Sequence, residues 1–293
     1  MPKFSDSRAS FACTVYFAVE FHRLREMCGI VQEFIWSLSR TVGWNATGGK
    51  SKASFFKTAD DQFIIKELAS KWTIDEKDAL FQLSPGYFEY MRQSDKKPTL
   101  LAKILGFFTI RRKNLQTGQS STLDVLVMEH LFANTTISRR FDLKGVPDRH
   151  VKTKPSENDV VMWDGDWHTG QYKSLLRLYA HSKQVLAESV FNDTEFLSNS
   201  NVMDYSLLVG VNDTRKELIV GIVDFIGPFN WSKFLETQSK TTIQSTIGSG
   251  KAVTVLPPDK YRDRFREAME HNFLKVPDKW MEVPLPQGLP PVL

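Results

Sequence analysis

SNSNVMDYSLLVG, residues 198–210, is followed after a short polar gap by LIVGIVDFIG, residues 218–227. The β-branched and apolar runs Ser206–Val211 and Leu218–Phe225 flank Asn212–Asp213, a pattern that predicts an antiparallel hairpin. Asp204 stands just before the first strand, and Asp224 interrupts the second. A hairpin of this size returns its two ends to one neighbourhood, so the two carboxylates can face one cleft. A carboxylate on an otherwise apolar strand is costly unless it meets a cation, hydrogen-bond donors or a metal. Asp224 therefore reads either as a metal ligand or as a cap of the turn that follows it. One carboxylate that orients or deprotonates, beside another that holds a metal, is what phosphoryl transfer requires.

Two other stretches bear charge in places that need a reason. GGKSKASFFKTADDQFIIKEL, residues 48–68, sets glycines before one strand and Lys66 inside the next. Glycine lets backbone N–H groups approach phosphate, and lysine supplies a point charge. The plainer readings are a simple turn at Gly48–Gly49 and a lysine snorkelling from a sheet edge. RRFDLKG, residues 139–145, combines Arg139, Arg140, Asp142 and Lys144 with Gly145. Such a stretch faces an anionic substrate or is simply solvated. WDGDWH, residues 163–168, looks like a metal cluster but reads better as a helix entrance, with Trp163 and Trp167 packing.

The remaining elements follow from periodicity. Phe11–Val19 alternates as a strand, and Glu20–Arg40 has helical spacing throughout. Short strands at Ser54–Lys57 and Gln62–Leu68 flank an acidic turn at Asp60–Asp61. Asp75–Met91 is expected as a helix kinked at Pro85. Gly106–Lys113 and Thr122–Glu129 form a hairpin around Asn114–Gly118, and Tyr172–Leu197 is one long helix. Lys233–Lys251 reads as a polar loop, and Asp259–Phe273 as a closing helix capped by Asp259. The class is α+β, with antiparallel sheets, flanking helices and two lobes. The first lobe covers residues 1–130 and the second 131–280, followed by an extended proline-rich tail at 281–293.

Composition narrows the setting. The chain has 293 residues, of which 41% are hydrophobic and 25% charged, values of a globular chain rather than a disordered one. Its two cysteines, Cys13 and Cys28, make neither a disulfide framework nor a zinc site, which favours a reducing intracellular compartment. The net charge of +4 permits an anionic partner without naming one. No run of apolar residues is long enough to cross a membrane, and MPKFSDSRAS lacks the apolar core of a signal peptide. Work at a membrane is therefore expected from the surface.

RRFDLKG, VMDYSLLVG and GIVDFIG together, in this order and at these separations, resemble the phosphatidylinositol phosphate kinases. The likeness is strongest to the type III branch, the phosphatidylinositol 3-phosphate 5-kinases that often carry a FYVE finger elsewhere. SLSRTVGWNATGGKS (37–51), YFEYM (87–91), LAKILGFF (101–108), LDVLVMEHLF (123–132), FNWSKFLE (229–236) and YRDRFREAMEHNFLKVPDKW (261–280) extend it from about Phe4 to Trp280. The resemblance implies a two-lobed, protein-kinase-like fold with ATP between the lobes and Mg2+ as its companion. It implies that Lys66 contacts the ATP phosphates together with Gly48, Gly49 and Lys50 of the glycine loop. Glu129, His130 and Leu131 would form the hinge that meets adenine. Asp204 would be the catalytic-loop aspartate and Asp224 the magnesium-binding one, with Asp142 and Lys144 lining the site. The segment from Phe225 to about Pro257 would be the activation loop, and its Lys233, Lys240 and Lys251 suit anionic headgroups.

The implied reaction makes phosphatidylinositol 3,5-bisphosphate from phosphatidylinositol 3-phosphate at an endosomal or vacuolar membrane. The implied partners are that lipid, an anionic membrane surface and a scaffold complex, with no nucleic acid. Other regiochemistry in the family, on the 4- or 5-phosphate, and a catalytically silent phosphoinositide-binding scaffold are the alternatives. Three places depart from the family: Val146 after DLKG where serine is usual, Lys52 in the glycine loop, and Gly227–Pro228 after the IVDF strand. Glu76 is the expected acid partner of Lys66, and Asp78 is its competitor.

Overall fold

The computed structural model describes residues 3–5, 8–44, 54–68, 70–71, 74–94, 96–150, 161–171, 177–227 and 256–277. The readings at Gly48, Gly49, Lys50, Lys233, Lys240 and Lys251, most of the activation segment and the tail lie outside these residues. The chain divides into two units, Met1–Arg92 with Ala102–Thr136, and Gln93–Leu101 with Ile137–Leu293.

Unit 1 is built on an antiparallel seven-stranded sheet. Along the chain come β1 (Lys3–Ser5), β2 (Ala9–Tyr16), helices α1 (Ala18–Met27) and α2 (Val31–Leu38), β3 (Thr41–Trp44), β4 (Phe55–Thr58) and β5 (Phe63–Glu67). A small ladder of β6 (Ser70–Lys71) and β7 (Ile74–Asp75) leads into α3 (Glu76–Arg92), then β8 (Ile104–Asn114) and β9 (Ser120–Glu129). The sheet order is β1-β2-β8-β9-β5-β4-β3, so the β8–β9 hairpin forms its centre. One helix was expected over Glu20–Arg40, but two are present. Gly29 at φ +68 ends α1, with Gly29 N–H bonded to Glu26 O and Ile30 N–H to Arg25 O. These are the two bonds of a Schellman close, which outweighs the continuing apolar period. Helix α3 runs on through Pro85, which lies on its exposed side. Its opposite stripe buries Leu80, Leu83, Tyr87 and Met91, and the Tyr87 hydroxyl accepts from Ile104 N–H at 2.8 Å.

Unit 2 holds a four-stranded sheet in the order β11-β10-β13-β14. Its strands are β10 (Arg139–Leu143), β11 (Val161–Trp163), β13 (Ser206–Asn212) and β14 (Glu217–Val223). Helix α4 (Asp164–Gln171), strand β12 (Arg177–Tyr179) and helix α5 (Ala180–Asn199) separate β11 from β13. Helix α6 (Pro258–Asn272) and β15 (Leu274–Val276), which pairs parallel to β12, follow. The long helix expected from Tyr172 begins only at Ala180, after a strand. Helix α6 is entered through Pro257 and Pro258 and has no side-chain cap, so the expected capping role of Asp259 is corrected. Proline's fixed φ already supplies the start. Leu101 of the connector forms a bridge with Ile222, whose N–H donates to Leu100 O at 2.6 Å. Asp193, fully buried on α5, anchors that connector by accepting from Leu100 N–H and the Thr99 hydroxyl.

The class is therefore α+β with flanking helices, as expected from the sequence, and the sheets are antiparallel except where β11 joins β10 and β15 joins β12 in parallel. Among the described residues no helix is long and apolar enough to cross a membrane.

Candidate active site

In unit 1 the chemistry-bearing positions lie on β5, α3 and the end of β9. Lys66 sits opposite Leu126 on β9 and, on the other side, opposite Phe55 of β4. Phe63 and Ile65 bury the other face of the strand, and Lys66 is itself only 7% exposed. A buried ammonium needs an acid. Glu76, the first residue of α3, provides it, with Oε1 3.5 Å from Nζ. Asp78 is exposed, which settles the expected choice between the two acids in favour of Glu76.

The three residues read as a hinge differ in what their amides do. Glu129 N–H bonds to Lys103 O, and its carboxylate accepts from the Lys103 amide at 2.7 Å and ammonium at 3.2 Å. His130 N–H bonds to Gln62 O, and its Nδ1 lies 2.9 Å from Asp61 O. Leu131 N–H has no hydrogen-bond acceptor among the described residues. An adenine contact through a backbone donor is thus open at Leu131 and closed at the other two.

In unit 2 the hairpin of β13 and β14 pairs Ser206 with Val223 at its open end. Asp204 lies two residues before that pair and Asp224 one residue after it. The structure brings the two aspartates to the same end of one hairpin, as the sequence spacing implied. Both are exposed, and both have left-handed backbones, at φ +66 and +59. Non-glycine residues in this region carry strain that the surroundings must hold in place. The loop before Asp204 is fixed by the end of α5, where Asn201 at φ +57 closes a second Schellman motif through Val202 N–H to Leu197 O. On its other side, the buried Tyr261 hydroxyl of α6 donates to the carbonyl of Tyr205.

Lys144 follows β10 and reaches Asp204. Its Nζ lies 2.7 Å from Asp204 Oδ1 and 2.5 Å from the Asp204 carbonyl. Asp142, from the same motif, pairs instead with Arg149, Oδ2 to Nη2 at 2.9 Å. Its other oxygen is buried with no hydrogen-bond donor among the described residues. Gly145 adopts φ +70, and a Cβ there would sit 3.0 Å from Ala268 Cβ and 3.3 Å from Arg264 O. Only glycine satisfies both the conformation and the close approach.

The residue that sequence reasoning missed is Asp164, inside the helix entrance at WDGDWH. It is 1% exposed and accepts from the backbone amides of Lys144 and Gly145. Burial pushes its carboxyl above the ordinary range, against the opposing pull of those amides and Arg149. The only signal in the sequence was that Asp164, at the helix start, is accompanied by a second acid, Asp166, which accepts from Trp163 N–H at 3.1 Å.

A magnesium ion suits this end of the hairpin by its chemistry. Asp224 offers exposed hard oxygens, and Mg2+ keeps several waters and takes phosphate oxygens beside one or two carboxylates. Among the described residues no cluster of three or more acids, histidines or cysteines could hold an ion unaided. Such an ion would complete its shell with water and nucleotide.

Two aspartates at one hairpin end with a lysine on the first, in unit 2, and a buried lysine–glutamate pair, in unit 1, are residue types that phosphoryl transfer uses. The family model described as Phosphatidylinositol-4-phosphate 5-Kinase matches residues 40–218 and 212–272, and the chain belongs to that family. Within it, the chain is 44% identical over 285 residues to 1-phosphatidylinositol 3-phosphate 5-kinases of Mus musculus and Homo sapiens, covering 95% of this chain. A Saccharomyces cerevisiae 1-phosphatidylinositol 3-phosphate 5-kinase is 40% identical over the same share. The chain spans only 12–13% of the length of these relatives.

Proposed function

We propose that this chain transfers the γ-phosphoryl group of ATP to the 5-hydroxyl of phosphatidylinositol 3-phosphate, giving phosphatidylinositol 3,5-bisphosphate and ADP. The observation that carries the transfer chemistry is the Lys144–Asp204 pair at 2.7 Å, with Asp224 at the same end of the hairpin. The choice of lipid rests on the names of the relatives.

In this reading Asp204 orients the inositol hydroxyl and accepts its proton as the oxygen attacks phosphorus in line. The bond between the γ-phosphorus and the ADP oxygen breaks, and no covalent enzyme intermediate forms. Lys144 holds the Asp204 carboxylate in place and keeps positive charge near the transferred group. Lys66, aligned by Glu76, balances the nucleotide phosphates, and Leu131 N–H is the backbone donor for adenine. Magnesium, held through Asp224, would neutralise charge developing on the β- and γ-phosphate oxygens. The reading includes peripheral attachment to membranes that bear the lipid, of endosomal or vacuolar type, and leaves room for a scaffold complex.

The test is incubation with labelled ATP, magnesium and vesicles carrying phosphatidylinositol 3-phosphate. Labelled bisphosphate from the native chain, lost in Asp224→Asn, is the expected result. Lipid binding with no transfer, unchanged in Asp224→Asn, would replace the kinase reading by a binding scaffold.

A further inference from the structure

Asp164 opens α4, yet its carboxylate does not serve that helix. Oδ1 accepts from Lys144 N–H at 3.0 Å and from Gly145 N–H at 2.8 Å. Oδ2 lies 3.1 Å from the same Lys144 amide and 3.5 Å from Arg149 Nη1. The local capping work is done by Asp166, which bonds to Trp163 N–H. A carboxylate that is 1% exposed is costly to keep unless donors converge on it, and here they come from a turn some twenty residues earlier in the chain.

That turn is gripped from several sides. Gly145 is wedged against α6, and Arg264 Nη2 reaches Lys144 O at 3.4 Å. Arg149 links Asp164 to Asp142 and stacks 4.6 Å from the ring of Trp163, the residue just before Asp164. Lys144 is therefore held at both ends, its backbone amide on Asp164 and its ammonium on Asp204. A lysine stem has many rotamers, so the ammonium is placed accurately only if its backbone origin is fixed.

We infer that Asp164 is the positioning residue of this site, a buried carboxylate that fixes the DLKG turn so that Lys144 meets Asp204. The inference rests on the phosphoryl-transfer reading of Asp204 and Lys144. Asp164 touches no reacting atom in this role and acts through Lys144.

The test compares Asp164→Ala, Asp164→Asn, Lys144→Met and the Asp164→Ala/Lys144→Met double variant, with ATP–Mg and vesicles of phosphatidylinositol 3-phosphate. Asp164→Ala should lower kcat on the order of 100-fold, as misplacement of a supporting group does, and leave the KM for ATP unchanged. Asp164→Asn, which keeps one carbonyl acceptor, should fall between it and the native chain. The double variant should be no slower than Lys144→Met alone, because both changes remove one arrangement. Where Asp164→Ala does not fold, Asp164→Asn takes its place in the cycle. Native turnover in either Asp164 variant, or a loss that persists undiminished in the Lys144→Met background, would overturn the inference and leave the kinase reading standing. If the native chain itself phosphorylates no phosphoinositide, the kinase reading fails and amide exchange decides. Protected Lys144 and Gly145 amides that become fast in Asp164→Asn would then support the grip, and fast exchange in the native chain would overturn it.

Discussion

At the scale of single residues, charges in apolar surroundings mark the site. Asp204 and Asp224 stand out because each flanks a largely apolar strand, and the hairpin between them dictates that they end together. Asp204→Asn should lower turnover by roughly 10²–10⁴-fold, the usual span for a lost general base, with little change in lipid binding by vesicle sedimentation. Gly145→Ala should destabilise unit 2 by about 1–3 kcal/mol in urea unfolding, since the new Cβ meets Ala268 and Arg264 at a backbone of φ +70. Unchanged stability would show that the turn relaxes freely. Lys66 was legible as a charge needing an acid, because a lysine inside FIIKEL cannot stay buried alone, but the choice of Glu76 over Asp78 came from the structure. Asp164 was not legible. An acid at a helix start has a sufficient local explanation, and nothing in WDGDWH says that its donors come from RRFDLKG.

Elements were read well where one local preference acted and poorly where two competed. The β8–β9 and β13–β14 hairpins were plain from alternation and turn residues. The helix over Glu20–Arg40 was split by Gly29 because a left-handed close satisfies carbonyls that a continued helix would satisfy no better. Gly29→Ala has open space around the new methyl, so its cost is the backbone alone, about 1–2 kcal/mol in thermal or urea unfolding. Loss of much more would mean that unseen packing surrounds the turn. Helix α6 illustrates an element whose meaning is tertiary. Its sequence shows an amphipathic segment, but its work is to press on Gly145 and to hold the Tyr205 carbonyl through Tyr261. Tyr261→Phe removes that bond and leaves a buried acceptor unpaired, which should cost about 1–3 kcal/mol. A fully native melting curve would contradict this supporting role of α6.

For the whole molecule, burial of tyrosines sets the alkaline limit. Tyr87, Tyr205 and Tyr261 are all held above the ordinary value of 10.0, in each case chiefly by burial. A folded value above the unfolded one means that the stability from these neutral hydroxyls is complete below about pH 10 and is lost as pH rises further. Urea midpoints should therefore fall steeply between roughly pH 10 and 12, and a flat profile would contradict the burial of these rings. The α+β class and the family could be read from the sequence because several spaced motifs agree along most of the chain. The lipid isomer was carried by the likeness to the type III branch alone, which the names of the relatives match, because the roles proposed for Asp204, Asp224, Lys144 and Lys66 would serve transfer to any inositol hydroxyl. The central claim is therefore tested most directly by initial rates of phosphate transfer to vesicles carrying the 3-, 4- or 5-monophosphate of phosphatidylinositol, one at a time. The account predicts product from the 3-phosphate well above that from the other two, abolished in Asp224→Asn. Equal or greater rates on the 4- or 5-phosphate would contradict it.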